Sequence, residues 1–273
     1  MITMTHKEFS QLASFVKDNF GVHLKPEKIM LINNRLQETI NTLQLTSFSE
    51  YSDYVMKDKS GNALRILLDK VTTHHTFFYR ESDHFAFVKN HVLPYYKNKL
   101  IQHDLRIWSA GCSSGEEPYT LAMLIDEFFG AEKAQWNTQI LATDLSQVVL
   151  DVAVRGIYKV EATSKLPPGW LYQYFRRIDH EHVEVIERIK KEVIYRPFNL
   201  MEEYYPFKQK FHFIFCRNVM IYFDEPTKYS LIKQFYDHLE PGGFLMIGHA
   251  ETIDRMKTDF QYVVPAIYRK PLA

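Results

Sequence analysis

The chain has 273 residues, with 33 basic and 33 acidic side chains and therefore no formal net charge. That balance argues against a nucleic-acid binder working through a general basic field, and 15% aromatic residues with only 10 Gly and 11 Pro argue against disorder. Two cysteines, Cys112 and Cys216, cannot build a disulfide framework; with no spanning apolar run of ~20 residues and no signal-peptide core, the expectation is a soluble protein of the cytosol.

The first eighty residues read as helices. Thr5 and Glu8 have capping-box spacing ahead of Phe9, Leu12, Phe15 and Val16, and Gly21 is a helix stop. Pro26 suits a first helical turn before Ile29, Ile32, Leu36, Ile40 and Leu43 on one face. Ser47 and Glu50 repeat the box before Tyr51, Tyr54 and Val55, and Leu64, Leu67 and Val71 mark a fourth short helix.

From Leu105 the pattern changes to short apolar runs separated by helical stretches: Leu105–Ala110, Thr138–Thr143, Phe211–Cys216 and Phe244–Gly248. Strands alternating with helices predict a parallel sheet with right-handed crossovers. Ligands of such sheets bind beyond the C-terminal strand ends. The charged, β-branched stretch from Tyr158 to Arg196, with Val183, Val185, Ile186, Ile189, Val193 and Ile194, interrupts the alternation and reads as a small inserted β subdomain.

Chemistry-bearing residues follow the predicted strands. After the first comes Ser109–Tyr119, whose small residues and following helix suit close ligand approach. Glu116 and Glu117 there favour a cationic or hydroxyl-bearing ligand over a phosphate; a tight turn with an acidic first helical turn is the bland alternative. Asp144 ends the second strand, where an acid can accept both hydroxyls of a ribose or cap the next helix. Arg217, Asn218 and Tyr222 follow the third, as ligand contacts or as a buried network. His74 and His75 are adjacent, but no third ligand stands at zinc-site spacing, so no metal is expected. His84 and His91 read as ordinary helix residues, and nothing activates the cysteines as nucleophiles.

Together these stretches resemble one family, the CheR-type chemoreceptor glutamate O-methyltransferases, which use S-adenosylmethionine. The likeness rests on Phe77-Phe-Tyr-Arg80, Ser114-Gly-Glu-Glu-Pro-Tyr119, Asp144, Asn199-Leu200, Phe215-Cys-Arg-Asn-Val-Met-Ile-Tyr-Phe-Asp224 and Gly248-His-Ala-Glu251. It implies an α/β, Rossmann-like class I methyltransferase domain with a small β-subdomain insertion, preceded by an all-α helical domain: residues 1–75, then 76–273, with the insertion at about 158–196. It assigns cofactor contacts to His74, Thr76, Arg80, Glu117, Asp144, Asn199, Leu200, Arg217 and Asn218, and places Arg80 and Tyr222 beside the reacting methyl as catalytic residues. The implied product is S-adenosyl-L-homocysteine, and the implied partner is the cytoplasmic domain of transmembrane chemoreceptors, without nucleic-acid binding or membrane insertion.

The chain departs from the family pattern in three places. His74 stands where the family usually has Asn. The second helix keeps Lys25, Lys28 and Arg35 but continues with Gln37, Glu38, Thr39 and Asn41, so it is less basic than usual. The β subdomain reads Arg177-Ile-Asp-His-Glu-His-Val183, without the Gly-x-Gly turn of members that grip a receptor tether, so tether binding is not expected. Two readings compete with receptor methylation: a methyltransferase for another carboxylate, and a non-catalytic module that senses S-adenosylmethionine.

Overall fold

The computed structural model describes residues 2–72 and 75–272. Its N-terminal part comprises α1 (His6–Phe20), α2 (Ile29–Thr42), α3 (Phe48–Lys57) and α4 (Asn62–Val71). Thr5 completes a capping box on α1: its hydroxyl accepts the Glu8 N–H, and the Glu8 carboxylate accepts the Thr5 N–H at 2.9 Å. At α3 the box is half made, because Glu50 reaches past Ser47 to the Thr46 N–H. Leu12, Val16, Ile32, Leu36, Ile40, Val55 and Leu67 are buried in one core, the consequence of apolar residues recurring at helical spacing.

The rest of the chain runs α5 (Ser82–Phe87), a single wide turn Val88–Val92, α6 (Leu93–Lys99), β1 (Ile107–Ala110), α7 (Glu116–Phe129), β2 (Ile140–Asp144), α8 (Gln147–Arg155) and β3 (Ile157–Lys159). It continues through α9 (Trp170–Tyr174), β4 (Phe175–Arg177), β5 (His182–Val185), α10 (Glu187–Lys190), β6 (Val193–Pro197), β7 (Phe211–Cys216), α11 (Glu225–His238), β8 (Leu239–Ile247), β9 (Gln261–Val264) and β10 (Ile267–Arg269). The large sheet has the order β6-β2-β1-β7-β8-β10-β9. Its first five strands are parallel, and β10 is antiparallel to both β8 and β9. The four predicted runs are all strands of this sheet; the antiparallel pair β9–β10 was not read from the sequence.

The interruption after β2 is a three-stranded antiparallel sheet, β3-β5-β4. It is shorter than the stretch expected to form the insertion. Val193–Pro197 instead pairs in parallel with Ile140–Asp144 at the edge of the large sheet, where Val193 is buried against the main core. Among the described residues no helix is long and apolar enough to cross a membrane.

The helical part docks on the sheet through the end of α1. Val22 makes a bridge to Phe223, and the His23 N–H donates to the Tyr222 carbonyl at 2.7 Å. Asn199 Nδ2 donates to the Asn19 carbonyl at 2.8 Å, and Lys17 pairs with Asp224 at 2.7 Å. At the centre is Gly21, which caps α1 with φ 70°; a Cβ there would run into Met201 Sδ and lie 2.8 Å from Thr227 Cγ2. Gly21→Ala combines left-handed backbone strain with overpacking and is expected to cost about 2 kcal/mol. Thermal unfolding should show the midpoint falling by about 4–8 °C; an unchanged midpoint would mean that the junction is loose.

Two buried histidines set an acid limit on the fold. His212 Nδ1 accepts the Arg106 N–H at 2.9 Å, so the ring is neutral, and burial pulls its pKa down to about 4. Burial, with the Arg217 charge second, pulls His84 down to about 3. The unfolded chain binds these protons near pH 6.5 and the folded chain does not. Stability therefore falls as pH drops below about 6.5, by up to about 1.4 kcal/mol per pH unit for each group. Urea midpoints measured between pH 7.5 and 5 should decline, less steeply in His212→Gln; parallel profiles would exclude His212 as a cause.

Candidate active site

Loops at the C-terminal ends of β1, β2 and β7 meet the docked helical part around one cavity with about 1100 Å³ of empty space, partly open to solvent. Phe20, Val22 and Leu68 form its wall on the helical side. Thr76, Arg80, Glu117, Asp144, Asn199, Leu200, Arg217, Asn218 and Tyr222 all line it. The remaining expected contact, His74, lies outside the described residues.

The turn after β1 packs tightly against its neighbours. Ser113 has φ 50° and Gly115 φ 95°; a Cβ on Gly115 would lie 2.7 Å from Tyr195 Oη and 2.8 Å from Ala153 Cβ. Asp144, the last residue of β2, holds this turn: Oδ2 accepts the Ser113 N–H at 2.8 Å, and Oδ1 accepts the Ser146 N–H at 3.0 Å. The helix cap proper is Ser146, whose hydroxyl accepts the Val149 N–H. Asp144 is thus a loop organiser facing the cavity. With about four lone-pair sites a carboxylate has capacity for ligand hydroxyls as well.

Arg217 forms the charged floor. Its side chain is 2% exposed and bridges Glu81 (3.1 Å) and Glu117 (3.0 Å). It also donates to the Arg80 carbonyl, and its guanidinium lies over the Phe85 and Phe215 rings. Burial raises the Glu117 pKa, against the pull of Arg217 and the Ser109 hydroxyl, which donates at 2.7 Å. For Glu81, burial is outweighed by the Arg217 charge and by hydrogen bonds from Asn218, Arg217 and the His249 N–H, which hold its pKa below the usual range. Two carboxylates thus share this one guanidinium, and Glu117 brings its charge to the cavity.

Strained backbone surrounds this floor. Tyr79 (φ 63°), Glu81 (φ 55°) and Asn218 (φ 59°) occupy the left-handed region, which persists only where the surroundings over-determine it. Glu251 is the brace at Asn218: its buried carboxylate accepts the N–H groups of Asn218, Ile221 and Gly248. The sequence carried Glu251 without a role, placed Ser113 only within the Ser109–Tyr119 turn, and gave no place to Glu81. Glu81 carried one signal, an acid directly after Arg80, but only the fold reveals Arg217 as its partner. The Asn199 amide is committed to the Asn19 carbonyl and the Met201 N–H. Both cysteines are buried, with thiol pKa values pushed up by burial, which makes them inert.

A family model described as the CheR methyltransferase SAM-binding domain matches residues 74–268, and one described as the CheR methyltransferase all-alpha domain matches residues 7–72. The chain belongs to the CheR methyltransferase family. A chemotaxis protein methyltransferase of Borreliella burgdorferi is 41% identical over 272 residues, covering 98% of this chain and 96% of that protein. The Escherichia coli chemotaxis protein methyltransferase is 30% identical, with 98% and 92% covered. Chemotaxis protein methyltransferase Cher2 of Pseudomonas putida is 32% identical, with 94% of each covered.

This CheR methyltransferase therefore carries an S-adenosylmethionine-binding class I domain behind an all-α domain. The cavity's chemistry fits that cofactor. Gly111 and Ser113 bring backbone from the β1 turn to the cavity wall, Asp144 stands at a strand end where an acid can accept ligand hydroxyls, and the Asp144 and Glu117 carboxylates offer negative charge to a sulfonium or an ammonium group.

Proposed function

We propose that this CheR methyltransferase esterifies glutamate side chains in the cytoplasmic domain of transmembrane chemoreceptors, with S-adenosyl-L-homocysteine as the second product. The observation that carries the reading is that Arg80 and Tyr222, which come from distant parts of the chain, line the same cavity as Asp144. The cofactor supplies a methyl group activated on a sulfonium. A glutamate carboxylate is ionised at pH 7, so the protein need not remove a proton; its task is to align and desolvate the nucleophile. In this reading Arg80, whose Nη1 donates to the His75 carbonyl at 2.5 Å, turns to orient the incoming carboxylate. The Tyr222 hydroxyl fixes the approach, and the Lys28 ammonium, 5.7 Å from the Tyr222 ring centre, adds positive charge beside it. Asp144, Thr76, Asn199, Leu200, Glu117, Arg217 and Asn218 hold or shape the cofactor site, joined in this reading by His74. A place in the cytoplasm follows from the proposed partner.

A receptor tether is not part of the proposal. The turn between β4 and β5 is closed on itself, with the Asp179 carboxylate accepting the Glu181 and His182 N–H groups and Arg177 donating to the Asp179 and His180 carbonyls.

The reaction is tested with radiolabelled cofactor and receptor-rich membranes. Label should transfer to receptor and leave as volatile methanol after alkali, since esters are base-labile and N-methyl groups are not. Base-stable label, or none, would sink the assignment. Tyr222→Phe keeps the ring and removes only the hydroxyl. Its cofactor affinity should stay near wild type while kcat falls, each tenfold loss meaning about 1.4 kcal/mol of barrier. Full kcat in that variant would remove the hydroxyl from the mechanism.

A further inference from the structure

Three side chains able to ligate a metal converge where α5 meets the loop after β8. His84 is 1% exposed, and neither ring nitrogen has a hydrogen-bond partner among the described residues. A buried polar group left in that state calls for a cause. Its Nδ1 lies 3.5 Å from Glu81 Oε2. His249 is exposed and sits edge-on to His84 with ring centres 4.8 Å apart. One ligand atom from each of the three residues lies within 4.8 Å of the others.

We propose that Glu81, His84 and His249 form a binding site for a divalent transition-metal ion of the zinc type, open to water on the His249 side. Tetrahedral zinc with bonds of about 2.0–2.1 Å holds its ligands about 3.3–3.4 Å apart. The His84–Glu81 pair is already near that spacing, and the remaining adjustment falls on His249, whose exposed side chain can turn. Two imidazoles and one carboxylate suit zinc and its neighbours rather than magnesium or calcium, with water as the fourth ligand. The charge balance permits a cation, because Glu81 and Glu117 outnumber Arg217.

Occupancy has a consequence for the cavity. Glu81 Oε2 is the atom that accepts from Arg217 Nε and Nη2, at 3.2 and 3.1 Å. A metal ion on that oxygen competes with Arg217 and loosens its hold on Glu81, freeing the guanidinium that also bonds Glu117 at the cavity to shift. This coupling, unlike the site itself, rests on Arg217 belonging to the cofactor pocket as proposed above.

The test titrates zinc alone into the untagged full-length chain by calorimetry, with cobalt absorption reporting the ligand field. Wild type should bind one equivalent saturably, and His249→Gln, a change at an exposed position, should weaken binding about tenfold or more. A matching circular dichroism melt would establish that the variant is folded. No saturable binding in wild type, or full binding in His249→Gln, overturns the site. S-adenosyl-L-homocysteine affinity should then fall on zinc addition in wild type but not in the variant. Unchanged affinity in zinc-loaded wild type overturns the coupling. Failure of both proteins to bind the product without zinc would instead count against the cofactor pocket.

Discussion

Arg217→Met should lower stability by about 3–5 kcal/mol, the cost of removing one partner from a buried ionic group. Methionine keeps much of the apolar length against Phe85 and Phe215, so the loss falls on charge and hydrogen bonding. Glu81 and Glu117, 14% and 13% exposed, are then left facing each other without a cation, and the Arg80 carbonyl loses its donor. The urea midpoint should drop with the slope unchanged. The pH dependence gives a sharper signature. In wild type the folded Glu81 pKa is depressed, so its contribution is present above the unfolded carboxylate value of ~4.3 and lost as pH falls below it. In the variant the unpaired carboxylates gain protons more readily, and the gap to wild type should narrow as pH falls from 7 towards 4.5. A gap of constant size would mean that packing, not charge, holds Arg217 in place.

Asp144→Ala should weaken S-adenosyl-L-homocysteine binding by roughly 1.5–3 kcal/mol, the range for hydrogen bonds to a charged group, or about ten- to a hundredfold. Both carboxylate oxygens accept a backbone N–H, from Ser113 and Ser146. Asparagine offers one acceptor and turns a donor towards the other N–H, so Asp144→Asn should be nearly as damaging as Asp144→Ala. Calorimetric titration separates the possibilities: wild-type affinity in the alanine variant would remove Asp144 from the site, and wild-type affinity in the asparagine variant alone would show that charge and loop support are dispensable.

How much was legible from sequence depended on how local each cause is. The helical part could be read because a box such as Thr5–Glu8 and an apolar stripe such as Ile32, Leu36 and Ile40 act within a few turns. The buried strands Ile107–Ala110 and Phe211–Cys216 were legible as apolar runs. Gln261–Val264 and Ile267–Arg269 were not, since a short and partly exposed antiparallel pair has no distinguishing pattern until β8 supplies a partner. Val193–Pro197 was read as a strand-forming stretch but assigned to the wrong sheet, because its partner β2 lies about fifty residues earlier. The cavity residues were legible through strand-end logic and family resemblance. Glu81, His84 and His249 were not, because their roles depend on an encounter between α5 and the far end of the chain.

The bridge from Val22 to Phe223 and the bond from His23 to Tyr222 also set a timetable for biosynthesis. At about 5–20 residues per second, roughly 10–40 s of translation separate the two sides of that seam. The helical part is complete on the ribosome long before its docking strip exists, with Phe20 and Val22 facing water during the wait. A nascent chain arrested just before Met220 would carry the sequence of the helical part but lack β8, β9 and β10 and the docking strip, and so have no enclosed ligand chamber. Ligand capture therefore waits until the segment around Phe223 is made, and a bound cofactor would favour the closed seam over the open one once that segment has emerged.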